Sequence, residues 1–432
     1  MSMGIAGIIL LIFFLLISMP VGFSMTVVGC LGFALIAHNP LAACHLMVSV
    51  FYDTFSKYDY NVIPLFIFMG QIAFHSGISK RLFNTAYQWL GALPGGMGVA
   101  TVGASAAFGA ICGSGPATAA TMAAVTLPEM KKCHYSMELG SGAVAAGGGL
   151  GMLIPPSVVF IVYGIMTEIS PARLFMAGVI PGIMLAILFC IYICWACWRN
   201  PTLGPKAPPT TWRKRFQSLF GVLETLILFL VVIGGLFVGW FTPTEAASVG
   251  AFGSLIIAAF RKKLTPAILI RSLKETMRTS CMILIIIAGA LIFGRFLAIT
   301  RMPVLMADIL ANLPLPGWII IAGILLFYVI FGTIVDGLAL ILMTIPIFYP
   351  VVLKLGFNPI WFGVMIVSVV QIGVISPPVG VNAYVVSGMM RDIPLQTVFR
   401  GCIPFIYVLL AGSALLFAFP QLSLWLPSLL IK

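Results

Sequence analysis

Charge is scarce in this sequence of 432 residues: 8% are Asp, Glu, Lys or Arg, where an ordinary soluble domain has about 25%. Hydrophobic residues make up 61%, and the mean hydropathy is +1.15. This composition excludes a water-soluble enzyme and a nucleic-acid-binding domain. Because a membrane span needs about 20 apolar residues, the chain has room for about a dozen segments that cross or enter a membrane. We predict an all-α polytopic membrane protein that is not an enzyme.

Three familiar sequence signals are also missing. No basic residue precedes the first apolar run, so no cleavable signal peptide is indicated. No Gly-Lys-Ser/Thr follows the glycine-rich stretch 147–151, so we expect no nucleotide and predict that an ion gradient supplies the energy. The nine cysteines form no secreted framework. Cys190, Cys194 and Cys197 share one helical face, which is typical of packing more than of a metal site.

The apolar runs form two sets of six, separated by a basic linker at 199–216. They cover 4–19, 20–37, 61–77, 97–128, 139–167 and 173–198, and then 217–240, 243–260, 281–297, 317–350, 361–390 and 396–418. Four positions of the first set recur after 222 residues: Gly115, Pro128, Pro155 and Pro156 correspond to Gly337, Pro350, Pro377 and Pro378. The chain therefore contains an internal repeat, with halves 1–198 and 217–432.

The basic residues indicate how the chain is oriented. If the N-terminus is outside, 17 of the 23 basic residues fall inside, as the positive-inside rule predicts. This requires 97–128 and 317–350 to enter and leave by one face, as re-entrant hairpins. Each half then has five crossings and one hairpin, about ten crossings in all, so the repeats are inverted, as in many secondary transporters.

Each predicted repeat has the same order of parts. The first has scaffold helices at 1–77, an arm at 78–96, a hairpin at 97–128, a broken helix at 139–167 and a helix at 173–198. The second has scaffold helices at 217–297, an arm at 298–316, a hairpin at 317–350, a broken helix at 361–390 and a helix at 396–418.

Glycine and proline interrupt the helical pattern at four places: the hairpin turns 112–116 and 331–337, and the breaks 147–157 and 373–380. A Pro-Pro pair removes two N–H donors and frees carbonyls. Lipid cannot satisfy these groups, so they must line an enclosed cavity. Carbonyl and hydroxyl oxygens suit Na⁺, and helix N-termini suit a carboxylate. Single interruptions are often only kinks, but a matched set of four favours a binding site.

Asp336 is the one acidic residue well inside an apolar stretch. A carboxylate at membrane depth costs about 3 kcal/mol and is therefore a functional candidate by default. The alternative is that Asp336 only caps the second helix of its hairpin. Glu245 differs, because Thr242-Pro243-Thr244-Glu245 has the pattern of a capping box. For the four histidines we expect ordinary surface positions.

Several stretches together resemble one known family. They are 113–132, Ile154-Pro155-Pro156-Ser157 with Tyr163-Gly164, Phe241-Thr242-Pro243-Thr244-Glu245-Ala246-Ala247, and Ser376-Pro377-Pro378-Val379-Gly380-Val381-Asn382. Over essentially its whole length the chain resembles the large membrane subunit of tripartite ATP-independent periplasmic (TRAP) transporters. The resemblance implies Na⁺-coupled import of an organic acid by an elevator motion. It also implies the bacterial inner membrane, a periplasmic N-terminus and a cytoplasmic linker.

The resemblance further implies partners and a site. The partners are a small four-helix membrane subunit and a periplasmic substrate-binding protein. The implied Na⁺ ligands are Gly113, Ser114, Gly151, Ile154, Pro155, Gly332, Thr333, Asp336, Gly373, Ser376 and Pro377. The implied substrate-binding residues are Ser114, Gly115, Thr118, Ser157 and Asn382. Many members have Ser-Gly-Ser-Ala at the first tip, where this chain has Ser114-Gly115-Pro116-Ala117 and so one hydroxyl fewer.

Two other functions stay open at the level of sequence. One is a stand-alone Na⁺/dicarboxylate symporter of related elevator fold, and the other is a channel or structural membrane protein. A C4-dicarboxylate and a sialic-acid-type sugar acid are both open as substrates.

Overall fold

The computed structural model of this protein describes residues 2–206 and 210–430, which are almost entirely helical. The first half contains α1 (Ser2–Leu16), α2 (Val21–Ala37), α3 (Pro40–Ser56), α4 (Val62–His75), α5 (Ile78–Leu90), α6 (Gly96–Cys112), α7 (Gly115–Lys132), α8 (Met137–Gly149), α9 (Val158–Thr167) and α10 (Pro171–Arg199). Short 3₁₀ helices cover Tyr58–Asn61 and Leu150–Met152. Of the predicted linker, positions 207–209 lie outside the described residues.

The second half has eleven helices among its described residues. It contains α11 (Trp212–Phe220), α12 (Leu223–Val238), α13 (Pro243–Phe260), α14 (Pro266–Ile299), α15 (Met302–Ala311), α16 (Gly317–Gly332), α17 (Gly337–Lys354), α18 (Pro359–Ile375), α19 (Val381–Met389), α20 (Leu395–Ala418) and α21 (Gln421–Leu430). Of these, α12 to α20 repeat the order of α1 to α10 with one helix fewer. Helices α6 to α9 begin 221 to 223 residues before α16 to α19. The long α14 takes the place of both α3 and α4.

Several helix starts follow from capping residues placed directly before a proline. Asn39, Thr242, Thr265 and Asn358 each accept a backbone N–H with the side chain, and proline follows each of them. Proline suits the first helical position because its missing N–H would have no partner there. At α13 the predicted capping box is confirmed: the Thr242 N–H donates to Glu245 Oε2 at 2.8 Å, and the Glu245 N–H donates to Thr242 Oγ1 at 3.3 Å.

The segment between 260 and 281 lies outside the predicted apolar runs, yet from Pro266 onward it is the first half of α14. Its basic residues, such as Arg271 and Lys274, lie on the exposed side of the helix, while Ser272, Thr276 and Ser280 are buried at a spacing of four. That spacing is the amphipathic signal of a helix. Its counterpart α3 also lies outside the predicted runs. The predicted count of five crossings per half includes neither α3 nor the first half of α14. The inversion of the repeats stays a prediction.

Helix length and composition identify a multi-pass membrane protein. Among the described residues, five helices are long and apolar enough to span a membrane, namely α10, α13, α14, α17 and α20. The count is seven if two bent pairs are each one span. In these pairs α5 bends by 68° from the segment Tyr58–His75, and α11 bends by 56° from α12. Shorter apolar helices include α1, α2, α6, α16 and α18. The predicted total of about ten crossings is not decided by these lengths.

The two broken helices occupy the centre of the protein. Every residue of α8 from Leu139 to Gly149 and every residue of α18 from Trp361 to Ile375 is buried. Around them, α7 and α20 pack on α8, while α14 packs on α2 and α4. The expectation of a surface position is wrong for His75, because its side chain is only 8% exposed and its Nε2 lies 3.1 Å from Glu275 Oε2 on α14. His75 and Glu275 are 200 residues apart in the chain, so the sequence does not indicate this contact.

Candidate functional site

The first hairpin turns where α6 meets α7. Gly113 follows α6 with φ of +65°, a conformation that glycine adopts without strain. Ser114 is extended and precedes α7, which carries Pro116 in its first turn. The Ser114 carbonyl accepts both the Thr118 N–H, at 3.0 Å, and the Thr118 hydroxyl, at 2.8 Å. The Ser114 hydroxyl makes no capping bond to α7, so it is available to a ligand.

The second hairpin turns between α16 and α17. Asp336 precedes α17, and its Oδ2 accepts the Leu338 N–H at 3.2 Å and the Ala339 N–H at 3.3 Å. Asp336 therefore does cap the helix, as the alternative interpretation holds. Capping uses one carboxylate oxygen; within the described part of the chain no hydrogen bond reaches Oδ1, and the residue is exposed. The cap thus orients the carboxylate and leaves one oxygen for an ion.

Both helix breaks leave backbone carbonyls without partners. The breaks contain the cis peptide bonds Pro155-Pro156 and Pro377-Pro378. In residues 2–206 and 210–430, no N–H or hydroxyl donates to the carbonyls of Ile154, Pro155, Ser376 or Pro377. Ile154, Pro155 and Ser376 are buried, and buried carbonyls are almost always paired in folded proteins. The free carbonyls at the two equivalent breaks, including that of the exposed Pro377, are therefore candidate ligands for a cation.

Each hairpin turn is joined to the break of its own half. The Val158 N–H donates to the Gly113 carbonyl at 3.2 Å, and the Val379 N–H donates to the Thr333 carbonyl at 3.1 Å. The backbones also approach closely: a Cβ added to Gly109 would lie 2.7 Å from Gly151 Cα, and one added to Gly373 would lie 2.4 Å from the Gly332 carbonyl carbon. The predicted Na⁺ ligands thus gather in two sets, one in each half.

A cavity of about 310 Å³ brings the two hairpin turns together. Gly113, Ser114 and Gly115 line it from the first hairpin, and Asp336 lines it from the second. Met152 and Val374 contribute from the two breaks. Asp336 also lines a second, mostly apolar cavity of about 370 Å³ that extends to the turn between α1 and α2. Asp336 therefore lies where the two cavities meet.

Three predicted substrate-binding residues do not line this cavity. Thr118 is fully buried, and its hydroxyl donates to the Ser114 carbonyl. Ser157 is fully buried, and its hydroxyl donates to the Met152 carbonyl at 2.5 Å. Asn382 is fully buried, and its Nδ2 donates to the Ala145 carbonyl on α8 at 3.1 Å. In this conformation these three side chains form hydrogen bonds within the protein and stabilise the turns and breaks.

The hydroxyls predicted for the second ion site also make local bonds. Thr333 Oγ1 donates to the Ile330 carbonyl at 2.8 Å, and Ser376 Oγ donates to the Ile372 carbonyl at 2.6 Å. Each hydroxyl oxygen keeps lone pairs after donating, so it can still coordinate a cation.

Two further polar residues line the cavity but were not among the predicted site residues. Gln71 on α4 and Thr279 on α14 line the cavity together with the first hairpin turn. Gln71 is the only carboxamide inside α4, and a polar side chain within an apolar span is a recognised functional signal. Thr279 lies among basic residues outside the predicted apolar runs, and no sequence signal separates it from its neighbours.

The fold and this site define a class of protein. Over 88% of each chain the structure resembles that of the Alcanivorax borkumensis YdaH transporter, described as having an unusual topology, with a TM-score of 0.62 and 16% identity. The family described as the tripartite ATP-independent periplasmic transporter, DctM component, matches residues 8–422. The chain belongs to this family and is therefore one component of a three-part transporter.

Curated relatives support the same assignment. The chain is 34% identical to a C4-dicarboxylate TRAP transporter large permease protein of Pseudomonas aeruginosa, covering 90% of this chain and 91% of the relative. It is 32% identical to a sialic acid TRAP transporter large permease protein of Vibrio cholerae, covering 96% of both. It is also 32% identical to an isethionate TRAP transporter permease protein of Oleidesulfovibrio alaskensis, covering 92% of this chain but only 62% of that relative. The chain is a multi-pass inner-membrane permease subunit.

Proposed function

We propose that this chain couples Na⁺ entry to the import of an organic acid. The observation that carries the proposal is the cavity between the hairpin turns, which is lined by the Asp336 carboxylate and by Met152 and Val374 of the two breaks. The free backbone carbonyls of the same two breaks supply further oxygen ligands. Backbone carbonyls, hydroxyls and carboxylates are hard oxygen ligands, the kind that a small hard cation prefers. We place one Na⁺ between the first hairpin turn and the break at Ile154-Pro155. A second Na⁺ lies between the turn at Asp336 and the break at Ser376-Pro377.

The named relatives transport acids, which supports an organic acid here. The lining of the cavity contains no basic side chain within the described residues. An anion would therefore rely on hydrogen-bond donors: the Ser114 hydroxyl, the N–H groups at the start of α7, Gln71 and Thr279. The N-terminus of a helix favours a carboxylate because its first N–H groups are unpaired and its dipole is positive there. A volume of about 310 Å³ suits a small ligand.

Charge balance gives a physical reason for coupling. A carboxylate substrate that enters beside Asp336 meets a like charge, and this repulsion is strong where the local dielectric constant is low. Na⁺ bound at both hairpin turns would cancel it. Substrate then binds well only when Na⁺ is bound, which is the thermodynamic requirement for symport.

The proposal extends to the assembly and its motion. A small membrane subunit and a periplasmic binding protein would complete the transporter, as the tripartite family description supports. The two hairpins and two breaks would move together as one unit past α2, α4, α13 and α14, in an elevator motion. We propose a periplasmic N-terminus, a cytoplasmic linker and inverted repeats, on the distribution of basic residues.

Reconstitution tests this proposal. Proteoliposomes that hold the chain and its small subunit would be given a Na⁺ gradient and labelled succinate, N-acetylneuraminate or isethionate, with and without the binding protein outside. We expect saturable uptake of one acid that needs both Na⁺ and the binding protein. Uptake without the binding protein would indicate a stand-alone symporter. Flux that needs no ion gradient and does not saturate would indicate a channel, and either result would overturn the proposal.

A further inference from the structure

The nine-residue helix α11 lies outside the proposed transport site and has two distinct faces. Trp212, Phe216 and Phe220 lie four residues apart, so they share one face, and they are 65%, 54% and 70% exposed. Lys214 is exposed on the opposite face, and Arg213 is exposed at the edge of the aromatic face. A short helix with aromatic residues on one face and basic residues on the other is typical of segments that lie in a membrane interface.

The backbone geometry places α11 beside the membrane-spanning helices. It bends by 56° from α12, and its neighbour α5 bends by 68° from the segment that contains α4. The two bent helices pack on each other: the Trp89 indole N–H donates to the Arg215 carbonyl at 3.2 Å, and the Thr85 hydroxyl donates to the Ser218 carbonyl at 2.9 Å. Because α5 holds α11 by its backbone, the basic side chains of α11 stay available.

The charge on this surface is not balanced by the protein. Within the described residues, Arg213, Lys214 and Arg215 form no ion pair. Glu224, the first acidic residue after α11 in sequence, already contacts Arg261 at 2.9 Å and Arg81 at 3.8 Å. Arg215 stacks on Trp212 at 5.0 Å, and its buried Nε makes no hydrogen bond in the described part of the chain. The buried Nε faces the protein, whereas the exposed Arg213 and Lys214 side chains, which form no ion pair within the described residues, are open to an external acceptor.

We propose that α11, held by α5, binds the phosphate-bearing headgroups of anionic phospholipids. Arg213, Lys214 and Arg215 bind the headgroup phosphates, and the three aromatic rings lie at the boundary of the acyl chains. Each basic residue near an anionic membrane surface adds attraction, and aromatic rings prefer this depth of the bilayer. The apolar rings favour a lipid over a soluble polyanion, because a polyanion would leave them exposed.

The test compares lipid binding by two charge-matched variants of the full chain. Detergent-purified protein would be titrated with phosphatidylglycerol or phosphatidylcholine, and bound lipid would be counted by native mass spectrometry. One variant is Arg213→Gln/Lys214→Gln/Arg215→Gln. The control is Lys262→Gln/Lys263→Gln/Lys274→Gln, which removes three exposed charges elsewhere. Gel filtration and the thermal midpoint verify that both are folded.

We expect wild type and control to prefer phosphatidylglycerol, and the α11 variant to bind it at least about tenfold more weakly. High salt should weaken binding in the wild type, since exposed charges are screened. Phe220→Ser, which keeps the charge, should also weaken binding. If the control lost phosphatidylglycerol binding to the same extent, the loss would be explained by net charge alone, and the proposal would be overturned. Unchanged binding in the α11 variant, or inorganic phosphate that competes as well as the lipid, would also overturn it.

Discussion

Replacing Gly373 by alanine would place a methyl group against the backbone of the second hairpin. The added Cβ would lie 2.4 Å from the Gly332 carbonyl carbon and 2.6 Å from its oxygen, where ordinary contacts begin at 3.4 Å. Backbone atoms cannot rotate away as a side chain can. The hairpin turn and the break must therefore separate by about 1 Å, which also separates the two halves of the proposed second ion site.

The expected cost follows from overpacking, which is typically about 1–3 kcal/mol. Alanine recovers up to about 1 kcal/mol because it favours a helix more than glycine does. If overpacking destabilises the Na⁺-bound state by about 2 kcal/mol relative to the Na⁺-free state, the apparent Na⁺ affinity drops roughly 30-fold.

Gly332→Ala is the matched control, because the same two residues meet from the other side. Its Cβ would have Gly373 Cα as nearest atom at 3.5 Å, an ordinary contact. The assay is Na⁺-dependent uptake at matched membrane abundance, with the thermal midpoint measured alongside. We expect a large loss for Gly373→Ala and near wild-type uptake for Gly332→Ala. Normal Na⁺ dependence in Gly373→Ala would refute the close contact, and so would equal loss in both variants.

Three further predictions follow from the site. Ser114→Ala should lower the apparent Na⁺ affinity with little effect on abundance, because the Ser114 hydroxyl makes no capping bond; an unchanged Na⁺ titration of uptake would remove Ser114 from the ion site. Uptake should persist with a protonophore while the Na⁺ gradient is held, and full uptake driven by a pH gradient alone would contradict this. In a background without native cysteines, a cysteine at Ser114 should react from the cytoplasm and one at Gly337 from the periplasm, in opposite transport states; labelling of both from one side in every state would contradict inverted repeats.

Much of the architecture could be predicted because its signals are local. Pro-Pro pairs, hairpin glycines and capping residues act within a few residues of where they stand, so the observed turns and breaks lie where the sequence places them. The helix α3 and the first half of α14 were missed because their polar residues interrupt the apolar runs. Only their periodicity, such as the spacing of Ser272, Thr276 and Ser280, identifies them as helical.

The orientation of single side chains could not be predicted in the same way. Thr118, Ser157 and Asn382 lie close in sequence to the turns and breaks, but Thr118 and Ser157 form local hydrogen bonds and Asn382 binds the distant Ala145 carbonyl on α8. Gln71 and Thr279 reach the cavity from helices far away along the chain, and only the packing of α4 and α14 brings them there. For Asp336, its role as a helix cap could be predicted from its position before α17. The two cavities that it lines could not, because they depend on how distant helices pack.

Direct Na⁺ binding to Asp336→Asn tests most directly whether the second hairpin holds an ion site. Asparagine caps a helix about as well as aspartate, so the substitution keeps the start of α17 and removes only the charge. Saturable ²²Na⁺ binding to detergent-purified protein would be compared between wild type and Asp336→Asn, with equal thermal midpoints as proof of an intact hairpin. We expect the variant to lose a class of Na⁺ sites and Na⁺-dependent uptake to fall with it. Wild-type Na⁺ binding and uptake in Asp336→Asn would leave Asp336 a helix cap alone and contradict an ion site at the second hairpin.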